Sequence, residues 1–337
     1  MKNVLVTGGL GFIGSHTCVE LLERGYNVFV VDNLSNSQAE IKDRIEEISG
    51  AQITFVQLDL VNSSLVKDFF EKNRIDSIIH FAAYKAVGES VERPLSYYEN
   101  NLLSLINLLK MCELHRISHF VFSSSCTVYG QPDKLPVTED SPKQPAESPY
   151  GNTKQICEEM IEDFCKSRSN FKAISLRYFN PIGAHKSGLI GELPLGIPNN
   201  LVPFITQTAA GIREKMRVFG GDYNTPDGTC IRDYIHVVDL AKAHISALEY
   251  SERMEANYDF FNVGTGKGYS VLDVIKSFEK VSGTKLNYEI VDRRPGDVEQ
   301  IFADTKKVTN VLGWRAELDL DTMVKSAWEW QKTLPLG

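Results

Sequence analysis

The first half of the chain alternates short apolar, β-branched runs with longer stretches in which apolar residues recur at helical spacing. The apolar runs predict strands at residues 3–7, 27–31, 53–57, 77–81, 119–123 and 172–177. The intervening stretches predict helices at residues 13–24, 38–48, 63–73, 97–114 and 148–167. Strands that are apolar throughout and separated by helices are typical of a parallel sheet covered on both faces. With right-handed crossovers, the pattern predicts an α/β fold built on a Rossmann doubly wound parallel sheet.

The pattern changes after residue 179. Residues 181–232 are rich in Gly, Pro and Asn and have weak periodicity, which predicts a lobe of loops and short helices. Further on, a predicted helix at 237–249 and a predicted strand at 260–263 look like returns to the main sheet. We therefore predict a nucleotide-binding domain over residues 1–179, with returns near 233–263, and a smaller C-terminal α/β substrate lobe over 180–337. The sequence shows no internal repeat and no flexible linker, so we expect the lobes to pack around a cleft.

Composition narrows the classes of partner. The net charge of the 337-residue chain is −8, and its acidic excess is spread rather than clustered. This distribution excludes the basic patch that nucleic acid or an anionic membrane surface requires. The N-terminus is a short predicted strand and a glycine turn rather than a signal peptide, and no apolar run approaches the roughly 20 residues of a membrane span. We therefore expect a cytoplasmic protein that binds neither nucleic acid nor a membrane.

The cysteines and histidines give no sign of a metal site. The six cysteines contain no Cys-x-x-Cys pair, and the histidines form no His-x-x-x-His pair. We interpret the cysteines as reduced, mostly buried thiols and expect neither a structural nor a catalytic metal.

A glycine-rich turn follows the first predicted strand. Gly9, Gly11 and Gly14 match the G-x-G-x-x-G pattern, in which the backbone approaches a pyrophosphate at a helix N-terminus. Asp32 ends the second predicted strand, 18 residues after Gly14. A carboxylate at this place can accept hydrogen bonds from an adenosine ribose and would repel a 2′-phosphate, which favours NAD over NADP. The alternative is that Asp32 is only a turn residue at a strand end.

A tyrosine and a lysine lie four residues apart at the start of a predicted helix. Tyr150 and Lys154 share a helical face, and we expect the ammonium and a nicotinamide ring to lower the pKa of the phenol so that it can act as a base. The spacing alone is also compatible with a surface pair. The preceding predicted strand ends in serines, and the carboxyl ends of parallel strands face the ligand crevice, where a hydroxyl can share a proton with Tyr150. For Ser123 and Ser124 the residue type favours a simpler role, a loop start or a helix cap.

Together these segments resemble a known family. They are TGGLGFIG (7–14), KAVGES (85–90), SSSCTVYG (123–130), YGNTK (150–154), RYFNPIGAH (177–185), IPNNL (197–201) and DGTCIRDYIH (227–236). The chain is similar over essentially its whole length to the UDP-galactose 4-epimerases of the extended short-chain dehydrogenase/reductase family. The first motif marks the superfamily, whereas the later ones are specific to the epimerase group.

The resemblance implies roles for individual residues. It implies Tyr150 as the base, Lys154 as its electrostatic partner and Ser125 as the assisting hydroxyl. Implied NAD contacts are Gly8, Gly11, Phe12, Ile13, Gly14, Asp32, Asn33, Leu34, Ser35, Asn36, Ser37, Asp59, Leu60, Phe81, Ala82, Ala83, Lys85, Asn100, Ser125, Tyr150, Lys154 and Phe179. Implied contacts to the UDP-sugar are Ser125, Tyr150, Asn180, Asn200, Leu201, Phe219, Arg232, Arg294, Asp297 and Ile301.

The implied reaction is redox-neutral. Tyr150 removes the 4-hydroxyl proton of the sugar, the C4 hydride passes to tightly bound NAD, and hydride returns to the opposite face of a 4-keto sugar. The alternatives are another nucleotide-sugar epimerase, a 4,6-dehydratase, or a non-catalytic NAD-sensing scaffold. Dehydratases place Asp-Glu where this chain has Cys126-Thr127, and a scaffold protein usually lacks the Tyr or the Lys, so both are disfavoured.

Two further expectations follow from the resemblance. Ile301 falls where the family carries either a bulky aromatic residue or a small residue that admits an N-acetyl group, and its intermediate size favours poor acceptance of UDP-N-acetylglucosamine. The family also implies a homodimer through helices near 97–114 and 150–167. The apolar stripe Leu102, Leu105, Ile106 and Leu109 is compatible with such an interface, and equally with a buried core face.

Overall fold

The computed structural model describes residues 2–294 and 298–335. The strands are β1 Asn3–Thr7, β2 Asn27–Asp32, β3 Thr54–Gln57, β4 Ser77–His80, β5 His119–Ser125, β6 Lys172–Tyr178, β7 Asn180–Ile182, β8 Met216–Phe219, β9 Ile231–His236, β10 Tyr258–Val263, β11 Gly268–Ser270, β12 Tyr288–Val291 and β13 Gln300–Ile301. The helices are α1 Phe12–Glu23, α2 Ile41–Ser49, α3 Ser63–Lys72, α4 Val87–Glu92, α5 Pro94–His115, α6 Pro149–Lys166, α7 Leu201–Ala209, α8 Val237–Ser251, α9 Val271–Ser282, α10 Lys306–Leu312 and α11 Leu320–Thr333, with a 3-10 turn at Cys126–Tyr129.

The main sheet confirms the predicted fold class. Within the described ranges it has seven strands in the order β10-β6-β5-β4-β1-β2-β3, and each neighbouring pair is parallel. The strand order reverses between β1 and β4, which is the switch point where doubly wound sheets bind their ligands. The carboxyl ends of β1, β4, β5 and β6 therefore meet at one edge of the sheet.

Both faces of this sheet are buried, because apolar residues occupy both sides of each central strand. Val6 and Ile79 belong to one hydrophobic cluster, and Leu5 and Ile78 belong to the other. Helices α1 and α8 cover the first face, and α3, α5 and α6 cover the second. This two-sided burial explains why the strands were visible in the sequence as continuous apolar runs.

The apolar stripe on α5 faces the core. Leu105 and Leu109 are buried in the second cluster, and Leu102 packs against it. Three of the four residues of this stripe thus take the core role, and the fourth, Ile106, is half-buried. Among the helices of the described residues, none combines the length and the apolar character needed to cross a lipid bilayer.

The chain after β6 builds a second, smaller core. Strands β7, β11 and β13 pair with β9, and β8 pairs with β12. Helices α7, α9 and α11 pack around Ile205, Val218, Phe278 and Val324. Helix α8 and strand β10 return to the main sheet as predicted, with β10 parallel to β6. Since β9 belongs to the smaller sheet, the return begins at α8.

Candidate active site

The glycine-rich turn between β1 and α1 is packed too tightly for side chains. A Cβ atom on Gly14 would lie 2.2 Å from the carbonyl oxygen of Gly8. Gly8 has φ +67°, and a Cβ atom there would lie 2.9 Å from the backbone nitrogen of Ala82, after β4. Gly11 caps α1 without any side-chain hydrogen bond, which leaves the first amides of the helix available to a ligand. These features fit a pyrophosphate held by backbone amides.

Asp32 is buried at the carboxyl end of β2, beside this turn. Its Oδ1 accepts hydrogen bonds from the amide of Leu34 at 3.0 Å and from Ser37 Oγ at 2.8 Å, and its Oδ2 accepts one from the amide of Leu10 at 3.1 Å. Asp32 therefore does stabilise the turn, which was the alternative role that the sequence left open. A carboxylate has about four acceptor sites, so one remains for a ribose hydroxyl, and the two roles are compatible.

The other predicted cofactor residues follow the ends of neighbouring strands. Asp59 and Leu60 follow β3, and Asp59 accepts a hydrogen bond from Asn33 Nδ2 at 3.3 Å. The segment from Phe81 to Lys85 follows β4, and Asn100 lies on α5. Residues 33–37 follow β2. The structure thus places most of the predicted cofactor contacts along the carboxyl edge of β1–β4, and the others on α5 and at β5, α6 and β6.

The predicted catalytic residues lie on two adjacent elements. Strand β5 continues to Ser125, whose Oγ accepts a hydrogen bond from the amide of Thr127 at 3.2 Å and begins the 3-10 turn. Tyr150 and Lys154 lie in the first turns of α6, which Ser148 caps by accepting a hydrogen bond from the amide of Gly151.

The pKa of Tyr150 in the protein chain alone is shifted upward, before any nicotinamide charge acts on the phenol. The Tyr150 residue is half-buried, and burial of its phenol raises the pKa of that group. A hydrogen bond with Ser125 opposes this shift. The Lys154 ammonium donates to the carbonyl oxygen of Ser123 at 2.6 Å and lies 5.9 Å from the centre of the Tyr150 ring. Burial also lowers the pKa of Lys154 to about 8. Helical spacing revealed the pair but not the burial, which raises the pKa of Tyr150 and lowers that of Lys154.

The favoured interpretation of Ser123 and Ser124 as a loop start or cap is wrong. Both residues belong to β5, which pairs in register with β6 as far as Ser125. Ser123 Oγ is hydrogen-bonded to the hydroxyl of Tyr178, and Ser124 Oγ donates to Glu158 at 2.6 Å. These serines are buried beside the predicted catalytic residues.

The sequence reasoning missed a buried ion pair beside this cluster. Arg177 on β6 donates from Nε and Nη2 to the two carboxylate oxygens of Glu158 on α6, at 2.8 and 2.7 Å. Two signals could have revealed it. Glu158 lies four residues after Lys154 on the helix, and Arg177 is a charged residue near the end of a predicted buried strand.

Most of the predicted substrate contacts lie in the smaller lobe, in two groups. Arg294 lies over the ring of Phe219, 5.9 Å from its centre, and both are exposed. In the second group, Ile301 on β13 pairs in register with Arg232 on β9, and Asn180 on β7 pairs with another residue of β9.

Two other predicted residues stand apart from these groups. Asn200 and Leu201 lie at the start of α7, where the Asn200 amide donates to Glu192. Asp297 lies outside the described residues.

A small apolar cluster joins the lobes. Ile301, from the substrate side, packs with Cys126 of the turn after Ser125 and with Phe179, a predicted cofactor contact. Through Ile301, the predicted substrate residues thus contact the turn that follows the end of β5.

Comparison with known proteins agrees with this geometry. The family model described as GDP-mannose 4,6 dehydratase matches residues 5–327. UDP-glucose 4-epimerases from Bacillus subtilis and Dictyostelium discoideum are 51% and 50% identical over 98% and 99% of this chain and 97% of each relative. The structure of UDP-glucose 4-epimerase from Bifidobacterium longum, in complex with NAD+ and UDP, is 46% identical, covers 98% of both chains and superposes with a TM-score of 0.95. The resemblance seen in the sequence motifs is confirmed, and the chain belongs to the UDP-glucose 4-epimerase family.

Proposed function

We propose that this chain interconverts UDP-glucose and UDP-galactose by reversible oxidation at C4 of the sugar, with NAD tightly bound, in galactose metabolism. One observation carries the proposal. The helix that holds Tyr150 and Lys154 packs beside the strand end that holds Ser125, at the sheet edge that also holds the glycine-rich turn.

The residues at the carboxyl edge of the main sheet fit NAD. The amides at the start of α1 suit its pyrophosphate, and Asp32 suits the adenosine ribose. Phe81 to Lys85, Asn100 and Phe179 would contact its remaining parts. Bound NAD supplies a hydride acceptor and donor and a positive charge that favours ionisation of a neighbouring phenol.

The protein's own groups handle the proton. Tyr150 accepts the proton of the 4-hydroxyl as the C4 hydrogen leaves and returns it when the hydroxyl is formed again. Ser125 hydrogen-bonds the same oxygen and shares its proton with Tyr150. Lys154 places a buried positive charge beside the phenol and stabilises the phenolate.

The smaller lobe would hold the nucleotide and the sugar. Arg232 and Arg294 carry charges that suit a diphosphate, and Phe219 offers an exposed ring on which uracil can stack. Asn180, Asn200, Leu201 and Asp297 would complete the contacts. In this proposal residues 180–337 supply most of the substrate lobe and residues 1–179 most of the cofactor domain.

The packing of Ile301 supports a preference for sugars without an N-acetyl group. This side chain is buried against Cys126 and Phe179, so the space next to it is already filled. Conversion of UDP-N-acetylglucosamine should therefore be poor, and a direct comparison of kcat/KM for the two sugars measures the preference.

A dehydratase is the closest alternative reaction and the chemistry after Ser125 disfavours it. Expelling water needs an acid and a base in addition to Tyr150. Burial raises the pKa of Cys126 to about 12, and a threonine hydroxyl does not titrate near neutrality, so Cys126 and Thr127 cannot replace a carboxyl pair.

We also propose a cytoplasmic homodimer. The six cysteines are all buried free thiols, as suits a reducing compartment. Val91 on α4 and Leu95 on α5 are 62% and 80% exposed, and Leu103 on α5 is also exposed, which gives α5 an apolar outer side for a second copy. Light scattering should give twice the 37.8 kDa chain mass, and a monomer at micromolar concentration would contradict the dimer.

The proposed function is tested in two steps on one preparation. Native mass spectrometry of the purified protein should show NAD that survives purification. The protein should then convert UDP-galactose to UDP-glucose, detected by a coupled UDP-glucose dehydrogenase. Formation of a 4-keto-6-deoxy sugar, or no conversion by protein that contains NAD, would overturn the proposal.

A further inference from the structure

A buried carboxylate lies one helical turn beyond Lys154. Glu158 accepts Ser124 Oγ and Arg177 Nε on Oε1, and Arg177 Nη2 and Lys143 Nζ on Oε2, at 2.6 to 3.0 Å. Glu158 and Arg177 are 1% and 2% exposed. A buried charge with all of its acceptor sites used is held in one position and holds its partners in turn.

These bonds fasten three elements together at the catalytic site. Ser124 precedes Ser125 on β5, and Arg177 on β6 also donates to the hydroxyl of Tyr129 in the 3-10 turn, at 2.9 Å. The guanidinium lies 3.9 Å from the centre of the Phe260 ring on β10, which fixes its plane. The strand end that carries Ser125 is therefore held by bonds from α6, through Glu158, and from β6, through Arg177.

Glu158 also contributes charge to the environment of the Lys154 ammonium. The titratable groups that interact with this ammonium are Tyr150, Cys157 and Glu158 on α6 and His80 on β4. Burial lowers the pKa of His80 to about 3 and raises that of Cys157 to about 12, so both are neutral at physiological pH. Burial disfavours ionisation of Glu158 as well, but its bonds and ion pair with Arg177 hold its pKa below the usual value. Among these groups, only Glu158 brings a negative charge near neutral pH.

We propose that Glu158 is a positioning residue for the reaction: with Arg177 it locks the Ser125 strand end onto the helix of Tyr150 and Lys154, and it places a negative charge one helical turn from Lys154. This inference rests on the proposed function, since it assumes that these three residues perform the chemistry. It assigns Glu158 no contact with the substrate.

The substitution Glu158→Gln tests it, because the amide keeps the shape and loses the charge and part of the hydrogen bonding. We expect kcat to fall about 10- to 100-fold with KM for UDP-galactose unchanged within about twofold. The alkaline limb of the kcat–pH profile should move to lower pH by about one unit or more, because loss of a nearby negative charge makes the ammonium lose its proton earlier.

Glu162→Gln on the same helix is the matched control. Glu162 forms an exposed pair with Lys166 at 2.9 Å, so the same chemical change should leave kcat and the pH profile as they are. A Glu158→Gln variant whose alkaline limb stays at the wild-type pH, or whose kcat equals that of the Glu162→Gln variant, would overturn the inference.

Two more variants keep the test decisive. If Glu158→Gln does not fold, Ser124→Ala removes one hydrogen bond to Glu158 and keeps its charge. In that variant kcat should fall several-fold and the alkaline limb should stay where it is, and full activity would contradict the positioning role.

Tyr150→Phe separates the two proposals. If Tyr150→Phe turns over normally, the proposed catalysis fails, whereas an inactive Tyr150→Phe beside a fully active Glu158→Gln refutes only the role of Glu158.

Discussion

The cofactor side and the substrate side of the candidate site are built differently. On the cofactor side, Lys154, Ser125 and Asp32 are buried, and each makes hydrogen bonds within the protein. On the substrate side, Phe219 and Arg294 are exposed. Lys154 and Ser125, two of the three residues proposed for chemistry, are thus held before any ligand arrives, whereas part of the surface proposed to bind the nucleotide lies open to solvent.

This difference suggests a division of labour. Groups that act in the transition state benefit from fixed positions in a site that excludes water. Groups that only hold the nucleotide can be exposed, because their contacts are the same in the ground state and the transition state. Changes on the two sides should therefore alter different kinetic constants.

The largest effect is expected at Tyr150. The Tyr150→Phe substitution removes the proton acceptor and leaves the ring, so kcat should fall by about 10²–10⁴-fold. Affinity for UDP, measured by calorimetry, should stay within about twofold. A strong loss of UDP affinity would show that the two sides are not separable.

A smaller and different effect is expected at Arg294. Loss of a charge-assisted hydrogen bond in the Arg294→Ala variant should raise KM for UDP-galactose about tenfold or more with kcat nearly unchanged. Its neighbour is the control: Arg293 is paired with Asp222 at 2.7 Å and lies over Tyr223, so Arg293→Ala should change KM little. Equal effects of the two substitutions on KM would contradict the assignment of Arg294.

The smallest effect is expected in cofactor choice. The Asp32→Asn variant keeps one acceptor oxygen for the amide of Leu34, loses the acceptor for the amide of Leu10, and loses the charge that repels a 2′-phosphate. Competition titrations should show that the affinity for NAD falls by a few-fold. The ratio of the affinities for NAD and NADP should fall by roughly tenfold. If wild-type protein already binds both cofactors equally, Asp32 is a turn residue only.

The sequence predicted those features that local patterns determine. The central strands and helices were found because apolar runs and helical spacing are local signals. Motifs and the family resemblance they carry singled out Tyr150, Lys154 and Ser125 as candidates. The Glu158–Arg177 pair joins residues 19 positions apart, on different elements, and depends on how α6 packs against β6. The strand role of Ser124 depends on the same packing, which explains why its interpretation as a loop start or cap was wrong. The upward pKa shift of Tyr150 in the chain alone depends on that packing too.

The division of labour is tested most directly by kcat and UDP affinity for wild type, Tyr150→Phe, Arg294→Ala and the double variant. The account predicts that Tyr150→Phe lowers only kcat, that Arg294→Ala lowers only affinity, and that the free-energy changes add within about 0.5 kcal/mol. A Tyr150→Phe variant that turns over within threefold of wild type, or an Arg294→Ala variant that loses as much kcat as Tyr150→Phe, would contradict it.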